Sequence, residues 1–396
     1  MEEWKTYELS DIAEIVTGKT PSTKDGTNFG GHIHFITPGD INKGLKHIYA
    51  TERTLTESGL HSIKGSTVYP NSICVSCIGN IGYVGISTMK CATNQQINTL
   101  IVKDGFNTDF VYYLMKYLWP EFKNFEGQST TLSILNKGLF SKIQVKIPSL
   151  KIQKKIADIL SSIDDKIEIN NRINHNLEDQ IHLLYNQWFE VSNAPYAEVP
   201  LAELIDFQEG PGIRNWQYVE SNGVKFINIR CINDGDVDVS SANMISKEEA
   251  FGKYDHFQLH EMDIVMSCSG TLGRYAIIRK EHLPLCLNTS VIRFKPRISL
   301  ADYSFVYGYL SSDAFINTQR DLACGSVQAN FGPTHLKNMI IKSFASDYRS
   351  AFNSIVFPMI QTSCMIKKEN DKLRQERDYL LPKLMKGELI ISETID

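Results

Sequence analysis

The sequence predicts an α+β chain: two similar β-rich domains in tandem, separated and joined by two long helices that form an antiparallel coiled coil. Three observations predict it. Two blocks of sequence recur 191 residues apart, each copy is cut into short apolar runs by Gly, Asn and Pro, and each copy is followed by an apolar stripe at helical spacing. A chain of 396 residues suits two domains or more, because single cores rarely grow beyond about 250–300 residues.

The first recurring block is Phe35-Ile36-Thr37-Pro38-Gly39-Asp40-Ile41-Asn42-Lys43-Gly44, which returns as Phe226-Ile227-Asn228-Ile229-Arg230-Cys231-Ile232-Asn233-Asp234-Gly235. The second is Ile73-Cys74-Val75-Ser76-Cys77-Ile78-Gly79-Asn80-Ile81-Gly82, which returns as Ile264-Val265-Met266-Ser267-Cys268-Ser269-Gly270-Thr271-Leu272-Gly273. Both keep one ungapped register. Weaker echoes pair Cys91-Ala92-Thr93-Asn94 with Cys286-Leu287-Asn288-Thr289, and Glu126–Ser129 with Cys324–Gln328. A period this long means duplicated domains rather than a solenoid.

The elements follow in order. Strands are expected at Ser72–Ser76, Tyr83–Ser87 and Ile97–Val102, and again at Asp263–Ser267, Tyr275–Arg279 and Ser290–Phe294. Each copy carries one short helical pattern, near Asp109–Tyr117 and Tyr303–Leu310. For Gly79, Gly82, Gly270 and Gly273 the reading is structural, as tight turns between strands. Pro148-Ser149 then opens a stretch to about Glu190 without Gly or Pro. Its apolar seam runs Ile152, Ile156, Ile159, Ile163, Ile167, Ile173, Leu177, Ile181, Leu184 and Trp188, interrupted by Asn170, as a register-fixing Asn interrupts a coiled coil. Forty residues give a rod of roughly 60 Å. After the second copy Met359, Ile366, Leu373 and Leu380 fall seven apart, and Pro382 and Gly387 close the pattern. The helix-pairing set is therefore Ile156, Ile163, Asn170, Leu177 and Leu184 against Met359, Ile366, Leu373 and Leu380. Domain bounds are placed at residues 1–147, 148–190, 191–345 and 346–396.

Composition excludes several classes. No apolar run approaches a membrane span, and the acidic start Met1-Glu2-Glu3-Trp4-Lys5 has no apolar signal region, so a cytoplasmic location is expected. Eight scattered cysteines read as reduced, mostly buried thiols. Cys74-x-x-Cys77 is not read as a metal site, because the twin positions are Val265 and Cys268. Gly18-Lys19-Thr20 lacks the earlier Gly of a phosphate loop, Ala13 standing in its place. There is no Pro-Pro dipeptide, as an Asp/Asn-Pro-Pro-aromatic amino-methylation motif needs, and Asp164-Asp165-Lys166 is assigned to the solvent face of the long helix. No catalytic arrangement is expected. Net charge is −4 with no strongly basic segment. Tight DNA binding by the lone chain is therefore disfavoured, since affinity scales with phosphates neutralised.

Gly18–Ser22, Phe35–Ile41, Ile78–Gly82 and Thr93-Asn94-Gln95-Gln96 resemble the target-recognition domain of type I restriction–modification specificity subunits. Ile147–Ala157 and Asp164–Arg172 resemble the family's first conserved helix, and Leu380-Leu381-Pro382-Lys383-Leu384-Met385-Lys386-Gly387-Glu388-Leu389 its terminal signature. The resemblance covers essentially the whole chain. It implies a non-catalytic subunit whose two recognition domains each take one half of a split, asymmetric double-stranded DNA target. The helices would dock two methyltransferase subunits for adenine methylation, and restriction subunits would add cleavage. S-adenosylmethionine, ATP and Mg would be bound by those partners, with no cofactor and no metal in this chain, and with no membrane association. Two readers on a stiff rod should contact half-sites about one DNA turn, ~34 Å, apart. The alternative class is a stand-alone DNA-binding regulator, which would need affinity without partners.

Base edges are read by side chains such as Arg, Lys, Asn and Gln on loops. In the first copy the candidates are Lys19, Thr20, Ser22, Lys24, Gln95 and Gln128; in the second they are Arg214, Asn215, Arg230, Arg274, Gln328 and Asn330. The second copy departs from the family pattern in two places. Glu209-Gly210-Pro211-Gly212-Ile213-Arg214 replaces the Gly18–Ser22 loop, and Ser343–Pro358 lacks the Pro-x-x-x-x-Gln that starts the first long helix. Pro358 is expected to kink or delay the second helix.

Overall fold

The computed structural model describes residues 4–41, 44–123, 134–233, 235–323 and 331–389. Its contacts divide the chain into two units, Met1–Ile169 with Asn370–Asp396, and Asn170–Glu369. Each unit thus holds one β-rich copy together with part of both long helices.

In the first unit the main sheet runs Ala13–Thr17, Ile97–Val102, Ile73–Ser76, Val84–Ser87, His47–Ile48. A second sheet runs Arg53–Leu55, Phe29–Ile36, Cys91–Thr93, Thr67–Val68, with Phe29–Ile36 parallel to Cys91–Thr93. The helix Thr108–Tyr117 starts where the Asn107 side chain accepts the Phe110 amide (2.8 Å). It buries Phe110, Val111, Tyr113 and Leu114 in a core shared with Ile156, Leu160, Leu381 and Leu384. Each such side chain contributes about 1.5–3 kcal/mol of burial.

The second unit repeats this plan. Its main sheet runs Ile205–Glu209, Val291–Pro296, Ile264–Ser267, Tyr275–Ile277. Its other sheet runs Tyr218–Val219, Met244–Ile245, Val224–Phe226, Leu285–Cys286, with the last pair again parallel. That pairing corrects one expected match. Phe35 faces Ala92 and Phe226 faces Cys286, so Cys286 is the counterpart of Ala92 and not of Cys91. Around the helix Tyr303–Ser311 the core is aromatic, with the Phe189 ring edge-on to Phe305, Phe344 and Phe352 and tilted against Tyr185, at centroid distances of 4.8–5.2 Å.

The long helices are Leu150–Tyr185 and Ser346–Met385. In the first unit Asp164 binds Arg377 (2.7 Å), and Ile156 and Leu160 share a core with Leu381 and Leu384. In the second the Asn170 side-chain amide donates to Glu369 (2.8 Å), Lys367 bonds Glu178 (3.1 Å), and Tyr185 meets Phe352 edge-on. Within each unit, rising numbers on one helix meet falling numbers on the other: the pair is antiparallel. Ile156, Ile163 and Asn170 are buried, whereas Leu177, Leu184, Met359, Ile366, Leu373 and Leu380 are only half-buried. The deepest heptad of the second helix is Val356, Ser363, Asn370, Arg377, Leu384. A seam partly built of polar groups is invisible to a search for apolar repeats.

Other expectations are corrected. Ile159 and Ile173, counted in the seam, are exposed. Asp164 does not face solvent: it is buried, held by Arg377 and by the Tyr113 hydroxyl (2.8 Å), while Asp165 and Lys166 are exposed as expected. Pro358 neither delays nor ends the second helix, which starts at Ser346 and runs past it. The missing Gln is replaced by an arginine. Gln153 Nε2 donates to the Pro148 carbonyl and its Oε1 accepts the Asn107 amide, both at 2.9 Å. At the matching place Arg349 donates to the Phe344 carbonyl and, through Nε, to Asp302 (2.7 Å).

Candidate nucleic-acid interface

Both copies build the same presenting scaffold from a crossing of two loops. A Cβ on Gly18 would lie 2.1 Å from the Asn94 carbonyl oxygen, and one on Gly210 would lie 2.5 Å from the Asn288 amide nitrogen. Only glycine lets the backbones cross so closely. The Lys19 amide donates to the Thr93 carbonyl (2.9 Å), and in the other copy the Thr289 amide donates to the Pro211 carbonyl (3.1 Å). The second copy's departure from the Gly18–Ser22 pattern therefore leaves the loop in the same seat.

Beyond the crossing, each loop projects a short exposed segment between buried anchors. In the first copy Pro21 and Asn28 are buried, and the Asn28 side chain donates to the Ser22 carbonyl (3.1 Å). Ser22, Thr23 and Lys24 stand exposed between them. In the second copy the anchors are Ile213 and Gln217. Gln217 accepts the Arg214 amide (3.0 Å) and donates to Glu249 (2.7 Å) and the Tyr254 hydroxyl (3.0 Å). Arg214, Asn215 and Trp216 are exposed.

A hairpin joins each cluster. Ser76 Oγ donates to the Asn80 carbonyl (2.6 Å) and accepts the Tyr83 amide (2.9 Å); Ser267 Oγ donates to the Thr271 carbonyl (2.6 Å) and accepts the Arg274 amide (3.1 Å). Gly79, Gly82, Gly270 and Gly273 hold φ between +68° and +93°, the turn geometry that favours glycine. Arg274 is exposed where the first copy has Tyr83 tilted against Trp119.

The candidates from sequence divide accordingly. Lys19, Thr20 and Gln95 come together, with the Thr20 hydroxyl donating to Gln95, and Ser22 and Lys24 sit on the same loop. Gln96 Nε2 reaches the Ile78 carbonyl (3.5 Å), which joins the hairpin to this group. In the second copy Arg214 and Asn215 share one loop. Arg230, whose amide is capped by Asn228 (2.9 Å), stands on the turn Ile229–Cys231 beside Gly270, whose Cβ would lie 3.2 Å from Ile229. Arg274 lies on the same hairpin as Gly270, immediately before the strand Tyr275–Ile277. Gln128, Gln328 and Asn330 lie outside the described residues. Sequence reasoning missed Trp216, although an aromatic residue following Arg-Asn in a Gly- and Pro-bounded loop was a readable signal.

Burial governs the described thiols, of which only Cys364 is half-buried. Among the described residues Cys74, Cys77, Cys91, Cys231, Cys268 and Cys286 are buried, and burial pushes the Cys74, Cys77 and Cys268 thiols up to about 12. No helix among the described residues is long and apolar enough to cross a membrane.

Comparison with known proteins agrees with the duplicated scaffold. The type I restriction modification DNA specificity domain matches twice, over residues 1–179 and 193–343. The chain is 26% identical to the type I restriction enzyme MjaIX specificity subunit of Methanocaldococcus jannaschii, over 99% of this chain and 94% of that one. It is 32% identical over 177 residues to the HindI specificity subunit of Haemophilus influenzae, spanning 43% of this chain and 38% of that one. Among solved structures, the S subunit of a type I restriction-modification system from M. genitalium superposes with a TM-score of 0.56 at 16% identity, covering 97% of this chain and 96% of that one. With the family's domain matched in both copies, the chain belongs to the type I restriction–modification DNA specificity family.

Proposed function

We propose that this specificity subunit reads a bipartite, asymmetric double-stranded DNA target, one half with each loop cluster, and has no chemistry of its own. The observation that carries this is a conserved seat with unlike contents. Two copies hold their loops by the same glycine crossing and the same serine-locked hairpin, yet present Lys19, Thr20, Ser22 and Lys24 in one and Arg214, Asn215, Arg230 and Arg274 in the other. Different side chains on one scaffold suit two half-sites of different sequence. The paired helices act as the spacer and dock two methyltransferase subunits, which bring S-adenosylmethionine for adenine methylation; restriction subunits, with ATP and Mg, add cleavage. A net charge of −4 fits a reader that acquires phosphate contacts from its partners.

The test is to co-express the chain with its methyltransferase subunits and map methylated adenines by single-molecule sequencing. The expected motif is split, with unlike halves. Exchanging residues 19–24 for another sequence should then change one half and spare the other. A short unbroken motif, or simultaneous change of both halves, would overturn the reading.

A further inference from the structure

We propose that Trp216 is a direct DNA contact of the second copy, its indole lying against the base edges of that copy's half-site; this rests on the bipartite reading above. The chain has four tryptophans, and three are packed. Trp4 meets Phe110, Trp119 meets Tyr83, and Trp188 meets Tyr348 and Phe352. Trp216 is 81% exposed. Leaving so large an apolar surface in water forgoes the burial energy the other three gain, so it does nothing for the fold.

Its exposure is also built. Buried Ile213 on one side and buried Gln217 on the other fix the segment, and Gln217 is tied at once to the Arg214 amide, to Glu249 and to the Tyr254 hydroxyl. The indole is thus held out on a braced turn, so little ordering entropy is lost when it meets a ligand. Its neighbours Arg214 and Asn215 are the side-chain types that pair with guanine and adenine edges. An indole face beside them supplies an apolar contact for a thymine methyl or a partly unstacked step. The corresponding segment of the first copy, exposed from Ser22 to Thr27 with Asp25, Gly26 and Thr27 leading into its buried anchor Asn28, has no aromatic ring, so the contact belongs to one half-site.

The experiment uses the complete methyltransferase complex and the target its own methylation map defines. Duplexes carry 5-iodouracil or 5-iodocytosine at one position at a time and are irradiated in the near ultraviolet, where halogenated bases cross-link to adjacent aromatic side chains. We expect a cross-link on the peptide containing Trp216, confined to the half-site read by the second copy. Trp216→Ala should lower methylation of the target about tenfold, which corresponds to about 1.4 kcal/mol. Trp216→Phe should keep most of the activity, and both variants should melt like the parent. Parent-like methylation by Trp216→Ala without any cross-link overturns the proposal. So does loss of co-purification with the methyltransferase subunits, which would make the indole a protein contact. An unbroken parent motif would instead sink the bipartite reading and is seen before any variant is made.

Discussion

At the start of the first long helix a neutral amide does the fastening, and at the start of the second an ion pair does. Gln153 bridges the Pro148 carbonyl and the Asn107 amide, tying the helix Leu150–Tyr185 to the cap of Thr108–Tyr117. Arg349 bridges the Phe344 carbonyl and the Asp302 carboxylate, tying Ser346–Met385 to the cap of Tyr303–Ser311. What the duplication has kept is the bond to the carbonyl five residues earlier and a tie to the cap of the neighbouring short helix, while the residue and the direction of the second bond differ. The loop clusters show the opposite economy, because there the backbone crossing is kept and the outward side chains differ. Buried joints constrain bonding geometry; exposed loops constrain only their seat.

The largest expected effect follows from the charge in the second joint. Arg349→Ala leaves Asp302 buried without its ion partner and should cost about 3–5 kcal/mol. Gln153→Ala removes neutral bonds only and should cost about 1–3 kcal/mol. Urea unfolding of the two variants measures the difference. The comparison breaks if the order is reversed.

Next come the crossings, where both copies should respond alike. Gly18→Ala and Gly210→Ala each force a methyl into backbone atoms at 2.1 and 2.5 Å, at a cost of about 1–3 kcal/mol. Gly212→Ala is the control, its Cβ finding only the Thr289 side chain at 3.8 Å, and should stay within about 0.5 kcal/mol. A harmless Gly210→Ala would mean that the two seats are not equivalent.

Much of this was legible beforehand. The ungapped spacing of 191 residues located both hairpins, and periodicity placed six strands, the helices Thr108–Tyr117 and Tyr303–Ser311 and the long helices to within a few residues. The strand Phe29–Ile36 and the helix Asp313–Ala323 of the second copy went unread. The shift of register near Cys91 was not legible, because a Cys-Cys match outweighed a three-residue shift that only strand pairing reveals. Nor could Asp164 be placed. Its partner Arg377 lies 213 positions away, and a charge on a helix reads as solvated unless that partner is known. Within the loop clusters, sequence chemistry found Arg214 and Asn215 but passed over Trp216, since apolar residues are ordinarily assigned to the core.

Substitution at a presenting position should separate specificity from stability. Arg274 is exposed at the place of half-buried Tyr83, so Arg274→Ala should leave the unfolding midpoint within about 0.5 kcal/mol of the parent. We expect it to weaken methylation for sequence changes in one half-site only, by about 1–3 kcal/mol. Unchanged methylation across a panel of half-site variants would remove Arg274 from the reading surface.

The smallest effect is the most searching. If the two helix joints are alternative solutions to one problem, the second can be rewritten in neutral chemistry. Arg349→Gln alone leaves the Asp302 carboxylate without its cation and should be clearly destabilising. Combined with Asp302→Asn, the buried charge disappears, and two amides of suitable length replace an ion pair whose desolvation had offset most of its attraction. The double variant should therefore lie within about 1 kcal/mol of the parent, and the coupling between the two changes in a double-mutant cycle should be favourable. Additive losses would show instead that the second helix needs the guanidinium itself, whose fork reaches the Phe344 carbonyl and Asp302 together.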